Sequence, residues 1–432
     1  MKRFIVPLLV AVMVVSIIFA GCMPAAAPPV TPPPVTPPPV TPPPVTPPPV
    51  TPPEVYDPEA KWALEEPIYP VEVDQWYGTF DIETAPPFPL DPPAGSLGEG
   101  VYDWWPGPAE AERTYHIGYV MPHLFDPWWA SALYGIIDEA RIVGVDLTAY
   151  NAGGYGEITR QLSQIESLMA LPVDAIIAAP VSYSALTPVL QDALDAGIPV
   201  ILFVNDADLP HPTAKVMTSY YLTYGKASAA IVIEHSKEAR AGGEVPQIGL
   251  FPGPPGLMWT GATEAGFKDK IAEEGLEDEF EIVAVKWGVS EATVQLDLIE
   301  AVLVTYPELD YIVACGPGAT AGIEAVEAAG REGKTYIVST YLTQPLYFAM
   351  KEGKVLASPA EWQQIMARMA VDMAVWTLNG EQPGVDLPFH SMARFTPITM
   401  ENINDFSWEH LFMPDGWEPV FRYAVPAGLR VP

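Results

Sequence analysis

After Thr114 the chain alternates short apolar runs with amphipathic stretches roughly eight times, and this alternation constrains its fold more than any other feature. The strand candidates are Tyr115–Met121, Val145–Tyr150, Asp174–Ala179, Pro199–Val204, Pro246–Phe251, Glu281–Lys286, Asp310–Cys315 and Thr335–Thr340. Between them lie helix candidates that include Trp129–Val143, Ile158–Ala170, Ser184–Ala196, Leu222–Ala239, Trp259–Glu274, Glu291–Tyr306, Ala319–Ala329 and Glu361–Leu378. Strand–helix–strand units of this kind build parallel sheets covered by helices. Eight of them overfill one compact sheet and suit two. The expected fold class is therefore α/β, with two doubly wound parallel-sheet lobes.

Upstream of this body the sequence changes character three times. Met1-Lys2-Arg3 is a positive start, and Phe4 to Ile18 is an apolar run too short for a permanent membrane span. It ends in Phe19-Ala20-Gly21-Cys22, which resembles the bacterial lipobox apart from Phe19, where Leu is usual. That resemblance implies a signal peptide over 1–21 and a mature chain anchored to the membrane by acyl chains on Cys22. Residues 22–56 are Pro-rich, and from Val30 to Thr51 the unit Val-Thr-Pro-Pro-Pro repeats. Such a tract lacks the donors and the apolar area to fold and is expected to form a disordered polyproline II stalk. At about 3.1 Å per residue it spans on the order of 90 Å. Residues 57–113 form an acidic extension with the aromatics Trp62, Trp76, Tyr77, Trp104 and Trp105, and no period of 2 or 3.6 runs through it. It is expected to be irregular and to dock partly on the following domain through its rings.

Charge and composition remove whole classes of function. With 21 Lys+Arg against 54 Asp+Glu the net charge is −33, so the surface repels phosphate backbones, and no nucleic-acid partner is expected. Cys22 and Cys315 are the only cysteines, too few for a disulfide framework or a thiolate metal site. The six histidines show no metal-ligand spacing, and Gly316-Pro317-Gly318 with Gly322 lacks the spacing of a dinucleotide loop. No cofactor, metal or catalytic constellation is expected, and the chain does not read as an enzyme.

In doubly wound sheets ligands bind beyond the carboxyl ends of the strands. Here those stretches include Pro122 to Trp129, Asn151 to Tyr155, Pro180 to Tyr183, Asn205-Asp206, Pro252 to Trp259, Gly316-Pro317-Gly318 and Tyr341-Leu342-Thr343. They are rich in Trp, Tyr, Gly and Pro and poor in the bases and nucleophiles that catalysis requires.

The strand order, the Asp126-Pro127-Trp128-Trp129 turn, the Gly197-Ile198-Pro199-Val200 strand entry and the Gly353-Lys354-Val355-Leu356 turn together resemble the type I periplasmic binding proteins of the ribose-binding superfamily. The likeness covers about Thr114 to Leu387. Ala152 to Tyr155, Ala179 to Tyr183, Phe251 to Pro254 and Leu309 to Val313 most resemble the TorT type within it, periplasmic sensors of trimethylamine N-oxide that work with a membrane histidine kinase. The resemblance implies two lobes joined by a three-segment hinge and closing on a ligand, with crossings near Met217–Tyr220, Tyr341–Thr343 and Ala357–Ala360. It further implies a binding domain over 114–432, with lobe 1 at about 114–217 and 357–385 and lobe 2 at about 218–356 and 386–432.

Sugar-binding relatives carry charged and amide residues where this chain has Val204-Asn205, Met258-Trp259, Gly316-Pro317 and Tyr341. A desolvated hydroxyl without a partner is costly, so loss of that polar set argues against a hexose. By the resemblance Trp128, Trp129, Tyr183, Tyr220, Trp259 and Tyr341 face the cleft, with Asp126 and Glu361 as its acids and Asn205 as the donor to a ligand oxygen. Aromatic faces attract methylated cationic nitrogen at about 0.5–2 kcal/mol per ring when desolvated. His123 is placed at the cleft mouth. The function expected is capture of a methylated amine or amine oxide, for signalling to a sensor histidine kinase or for uptake through an ABC permease. A sugar-binding importer component and a surface-structural or adhesive lipoprotein remain as alternatives.

Overall fold

The structure, a computed structural model, describes residues 71–78 and 101–432. The leader, Cys22, the stalk and much of the acidic extension, Trp62 included, lie outside those residues. Chain order gives β1 (Val71–Trp76), β2 (Val101–Trp105), β3 (His116–Met121), β4 (Asp146–Asn151), β5 (Ala175–Ala178), β6 (Val200–Phe203) and β7 (Ala214–Val216). The later strands are β8 (Gln247–Gly253), β9 (Glu281–Trp287), β10 (Tyr311–Ala314), β11 (Tyr336–Ser339), β12 (Ala357–Ala360), β13 (His390–Ala393), β14 (Thr396–Thr399) and β15 (Arg422–Tyr423).

Two sheets result. The first has the order β15-β4-β3-β5-β6-β7-β13-β1-β2 and the second β14-β12-β11-β10-β8-β9. From β4 to β13 in one, and from β12 to β9 in the other, every neighbouring pair is parallel. Central strands such as Ala-Ile-Ile-Ala in β5 and Val-Ile-Leu-Phe in β6 are wholly buried, as strands covered by helices on both faces must be. Each sheet is the centre of one lobe.

The helix Pro127–Val143 begins with Asp126 capping its first turn and Pro127 at a position that needs no amide hydrogen, and it stops at Gly144, whose φ of 76° suits glycine. It packs along the helix Gln363–Leu378. The contact is so close that a Cβ on Gly135 would lie 2.4 Å from the Gln364 carbonyl oxygen. Between the two helices the buried Arg368 bridges Asp138 at 2.8 Å and Glu139 at 3.0 Å. All three side chains are at most 1% exposed, so each charge depends on its partners.

The chain passes from the first sheet to the second after β7, through a π-helical turn at Tyr220–Lys226, returns at 361–362 after β12, and crosses again between β13 and β14. A later return, after the short helix Trp408–Leu411, brings β15 back to the first sheet. Three expectations change accordingly. Tyr341–Thr343 is no crossing, because β11 and β12 belong to one sheet. Ala357–Ala360 is a strand of lobe 2 and not part of lobe 1, and His390–Ala393 is a strand of lobe 1 although 386–432 was placed in lobe 2. The acidic extension also contributes regular structure: β1 and β2 pair antiparallel, and β1 pairs with β13. Its docking does use aromatics. Trp105 is buried against Trp376, with ring centroids 5.0 Å apart, and donates to Asp372 at 2.8 Å.

Candidate functional site

The first lobe supplies one wall of a cavity at the carboxyl ends of its strands. Asp126 Oδ1 accepts the Trp128 amide at 3.0 Å, and this cap fixes the turn that carries Trp128 and Trp129 into the wall. Their rings meet edge to face at 4.7 Å and 69°. Just past β6, Val204 takes a φ of 62°, a left-handed conformation that a β-branched residue adopts only at a cost of about 1–3 kcal/mol. The Tyr220 hydroxyl donates to its carbonyl oxygen, and both Val204 and Asn205 line the cavity. Tyr155 and the buried His123 complete this side, with their rings 5.1 Å apart.

The second lobe supplies Trp259 from the first turn of the helix Met258–Glu273, Tyr341 from the loop after β11, and Ser290 from the loop after β9. Gly253, with φ 117°, is required here twice over, since a Cβ would stand 2.7 Å from the Trp259 ring. Tyr220 and Tyr224 come from the π-helical crossing. Tyr224 stacks on Tyr341 at 5.3 Å, and Trp259 presents its edge to both, at 6.3 and 6.2 Å.

Two carboxyls tie these walls together. Asp126 Oδ2 accepts the Tyr341 hydroxyl at 2.7 Å. Glu361, on the second crossing, accepts the Trp128 indole at 2.9 Å and the Tyr224 hydroxyl through the same oxygen. Burial raises Asp126 to about 6, against the hydrogen bonds from Trp128 and Tyr341 that lower it. Burial likewise raises Glu361 to about 8, aided by the Asp126 charge and opposed by Tyr224 and Trp128. Burial thus opposes ionisation of both carboxyls, more strongly at Glu361 than at Asp126. Burial lowers His123 to about 3 and keeps it neutral.

The space between these walls is a cavity of about 20 Å³, the scale of one or two waters. A guest larger than that fits only if the walls part. Seven aromatic rings line it, those of Trp128, Trp129, Tyr155, Tyr220, Tyr224, Trp259 and Tyr341, with Asp126 as the lining carboxyl and no Lys or Arg among the described lining residues. Such a space attracts a compact group that is positive and apolar.

Of the residues expected to face the cleft, Asp126, Trp128, Trp129, Asn205, Tyr220, Trp259 and Tyr341 come together around the cavity. Glu361 stands one layer behind, acting through Trp128 and Tyr224. Tyr183 stands apart, half-buried near Asp206 and Asp208, because the turn after β5 leads away from the cavity. The expected donor role of Asn205 also changes: its Nδ2 is committed to the Pro180 carbonyl at 2.9 Å and to Tyr155 at 3.4 Å. Tyr155, Tyr224 and Ser290 were not anticipated as lining residues. Tyr155 stood at the end of a stretch already marked by its position after β4. Tyr224 was hidden inside a helical pattern that showed no sign of its π-turn. The indoles of Trp129 and Trp259 lie beside the Tyr155 hydroxyl and offset part of the burial that pushes its pKa up. Trp259 Nε1 nevertheless makes no bond within hydrogen-bond geometry.

Comparison with known proteins agrees with this architecture. The periplasmic binding protein domain family matches residues 117–382. The periplasmic protein TorT of Escherichia coli K12 is 27% identical over 322 residues, which cover 73% of this chain and 87% of TorT. A D-ribose/D-allose-binding protein of Pseudomonas aeruginosa is 29% identical over 52% of this chain and 70% of its own length. Among solved structures, an ABC transporter solute-binding protein from Bradyrhizobium with bound bis-tris superposes with a TM-score of 0.66 at 28% identity, covering 83% of this chain and all of that one. The complex of TorT with the TorS sensor domain in the presence of TMAO gives 0.62 at 26% identity, covering 71% of this chain and 99% of the other. Matched over more than half of its length, with two parallel-sheet lobes around an enclosed cleft, this chain belongs to the periplasmic binding protein family.

Proposed function

We propose that this solute-binding protein captures a small methylated amine or amine oxide in its interlobe cleft and is held by a lipid anchor at Cys22 on the extracytoplasmic face of the cell envelope. The observation that carries the ligand class is the wall of seven rings around the carboxyl of Asp126. Three or four desolvated rings at about 0.5–2 kcal/mol each, together with the carboxylate, reach the ~8 kcal/mol of a micromolar site. A hexose in the same space would leave several hydroxyls unmet, each costing about 1–3 kcal/mol.

The likeness to TorT supports delivery of the signal to a membrane sensor histidine kinase, and the likeness to solute-binding proteins of ABC transporters supports delivery to a permease. The lipid anchor rests on Cys22 following the apolar run. Mass spectrometry of the mature chain checks it: a start at any residue other than 22 excludes it. For the ligand, a thermal-shift screen sets trimethylamine N-oxide, trimethylammonium, betaine and choline against ribose, galactose and glucose. Upward shifts with the amines alone support the proposal, and shifts with a sugar alone return the protein to the sugar-binding reading.

A further inference from the structure

Five polar atoms of the cavity-lining residues lack a hydrogen-bond partner among the described residues: both ring nitrogens of His123, Asn205 Oδ1, Trp259 Nε1 and Ser290 Oγ. His123 is 1% exposed, Asn205 4%, Trp259 6% and Ser290 2%, so bulk water does not serve them. A buried polar group left unpaired is costly, and native proteins retain such groups mainly where something else completes them.

The orientation of the Asn205 amide follows from its neighbours. The Pro180 carbonyl can only accept, so the atom facing it at 2.9 Å is Nδ2, and the oxygen is the free one. That oxygen requires a donor. Across the cleft the indole nitrogen of Trp259 can only donate, and it lies beside the Tyr155 hydroxyl. Those two groups suit a single acceptor oxygen. Ser290, from the same lobe as Trp259, can serve in either sense.

We propose that the cleft selects a small methylated amine carrying both a hydrogen-bond donor, met by Asn205 Oδ1 on the first lobe, and an acceptor oxygen, met by Trp259 Nε1 on the second. This rests on the amine reading of the same cleft and narrows it to protonated N-methyl amines such as N-methylated amino acids. Trimethylamine N-oxide and betaine offer an acceptor and no donor. Because the complementary groups sit on opposite lobes, a guest with both meets a partner on each wall at closure, and the neutral His123 ring adds one donor and one acceptor to the first. Each feature should be worth about tenfold in affinity, the ordinary cost of leaving a built polar partner unmet.

The test is calorimetry with two pairs of probes, each differing by one N–H replaced by N–CH₃ at constant charge. Dimethylglycine is compared with betaine, and trimethylammonium with tetramethylammonium. The first member of each pair should bind about tenfold tighter than the second. Asn205→Ala should shrink both ratios towards one. Trp259→Phe, which keeps a ring and loses the donor, should reduce the advantage of dimethylglycine over trimethylammonium and serves independently if the Asn205 variant fails to fold. Ratios near one in the wild-type protein, with binding intact, would overturn this selectivity and leave the amine reading standing. Silence from all four probes would overturn both.

Discussion

The Tyr341 hydroxyl, carried by the second lobe, donates across the cleft to Asp126, which caps the leading helix of the first lobe, at 2.7 Å. One carboxyl therefore orders the turn that presents Trp128 and Trp129 and also marks the closed position of the opposite lobe. Glu361 repeats the pattern on the second crossing, joining Trp128 to Tyr224. Ligand wall and interlobe contact are built from the same side chains, so the proposed binding couples occupancy to closure.

Closure should be visible in solution. A ligand shifts the open–closed equilibrium only by its differential affinity for the two forms, and here contacts come from both lobes. Small-angle scattering with saturating trimethylamine N-oxide should show a smaller radius of gyration than without it. An unchanged radius alongside proven binding contradicts hinge closure.

The two raised carboxyls should set a pH dependence of stability. Asp126 moves from 3.8 to about 6 and Glu361 from 4.5 to about 8, so the folded chain holds protons that the unfolded chain has released. Their contribution is fully present below the unfolded values and is lost as pH rises through the folded ones. Thermal melts between about pH 5 and 8 should therefore fall more steeply for the wild type than for Glu361→Gln, which keeps the acceptor and cannot ionise. Equal slopes would show that Glu361 ionises normally.

Rings at the cavity and rings elsewhere should separate cleanly. Trp129→Ala and Tyr341→Ala should each weaken amine binding by about tenfold or more, at about 1.4 kcal/mol per decade. Trp376→Ala loosens the seat of Trp105, 5.0 Å from it, and should lower the melting temperature without abolishing binding. Loss of binding in that variant would place the ring's role elsewhere.

The Arg368 bridge gives a prediction independent of ligand. Arg368→Leu strands the carboxylate of Glu139 and leaves Asp138 with Arg141 alone, at 2.9 Å; both carboxyls are at 0% exposure, and breaking a buried pair in this way costs about 3–5 kcal/mol. Urea unfolding should show that loss as a lower midpoint. A midpoint close to the wild type would mean that the carboxyls find other partners.

The eight strand–helix units were legible because each central strand is a continuous apolar run and each following helix has an apolar face. All eight strand candidates are found, with ends within two residues or so. What escaped was short and built by distant pairing. Ala-Ser-Pro-Ala in β12, His-Ser-Met-Ala in β13 and Arg-Tyr in β15 have no period of their own and become strands only beside a neighbour. The hinge depends on those strands: the crossing expected near Ala357–Ala360 falls directly after β12, the one at Tyr341–Thr343 is absent, and the one between β13 and β14 was missed. At the cleft, position after a strand found Trp128, Trp129, Trp259 and Tyr341. It failed for Tyr183, where the chain turns away, and for Tyr224, whose facing depends on a π-helical turn that spacing does not reveal.

Isothermal titration calorimetry tests the central claim most directly. The protein is titrated in parallel with trimethylamine N-oxide, dimethylglycine and trimethylammonium, and with ribose, galactose and glucose. An aromatic cleft around one carboxylate predicts micromolar heats with at least one methylated amine and none with the sugars. Micromolar binding of a common monosaccharide, with silence from every amine, would contradict it.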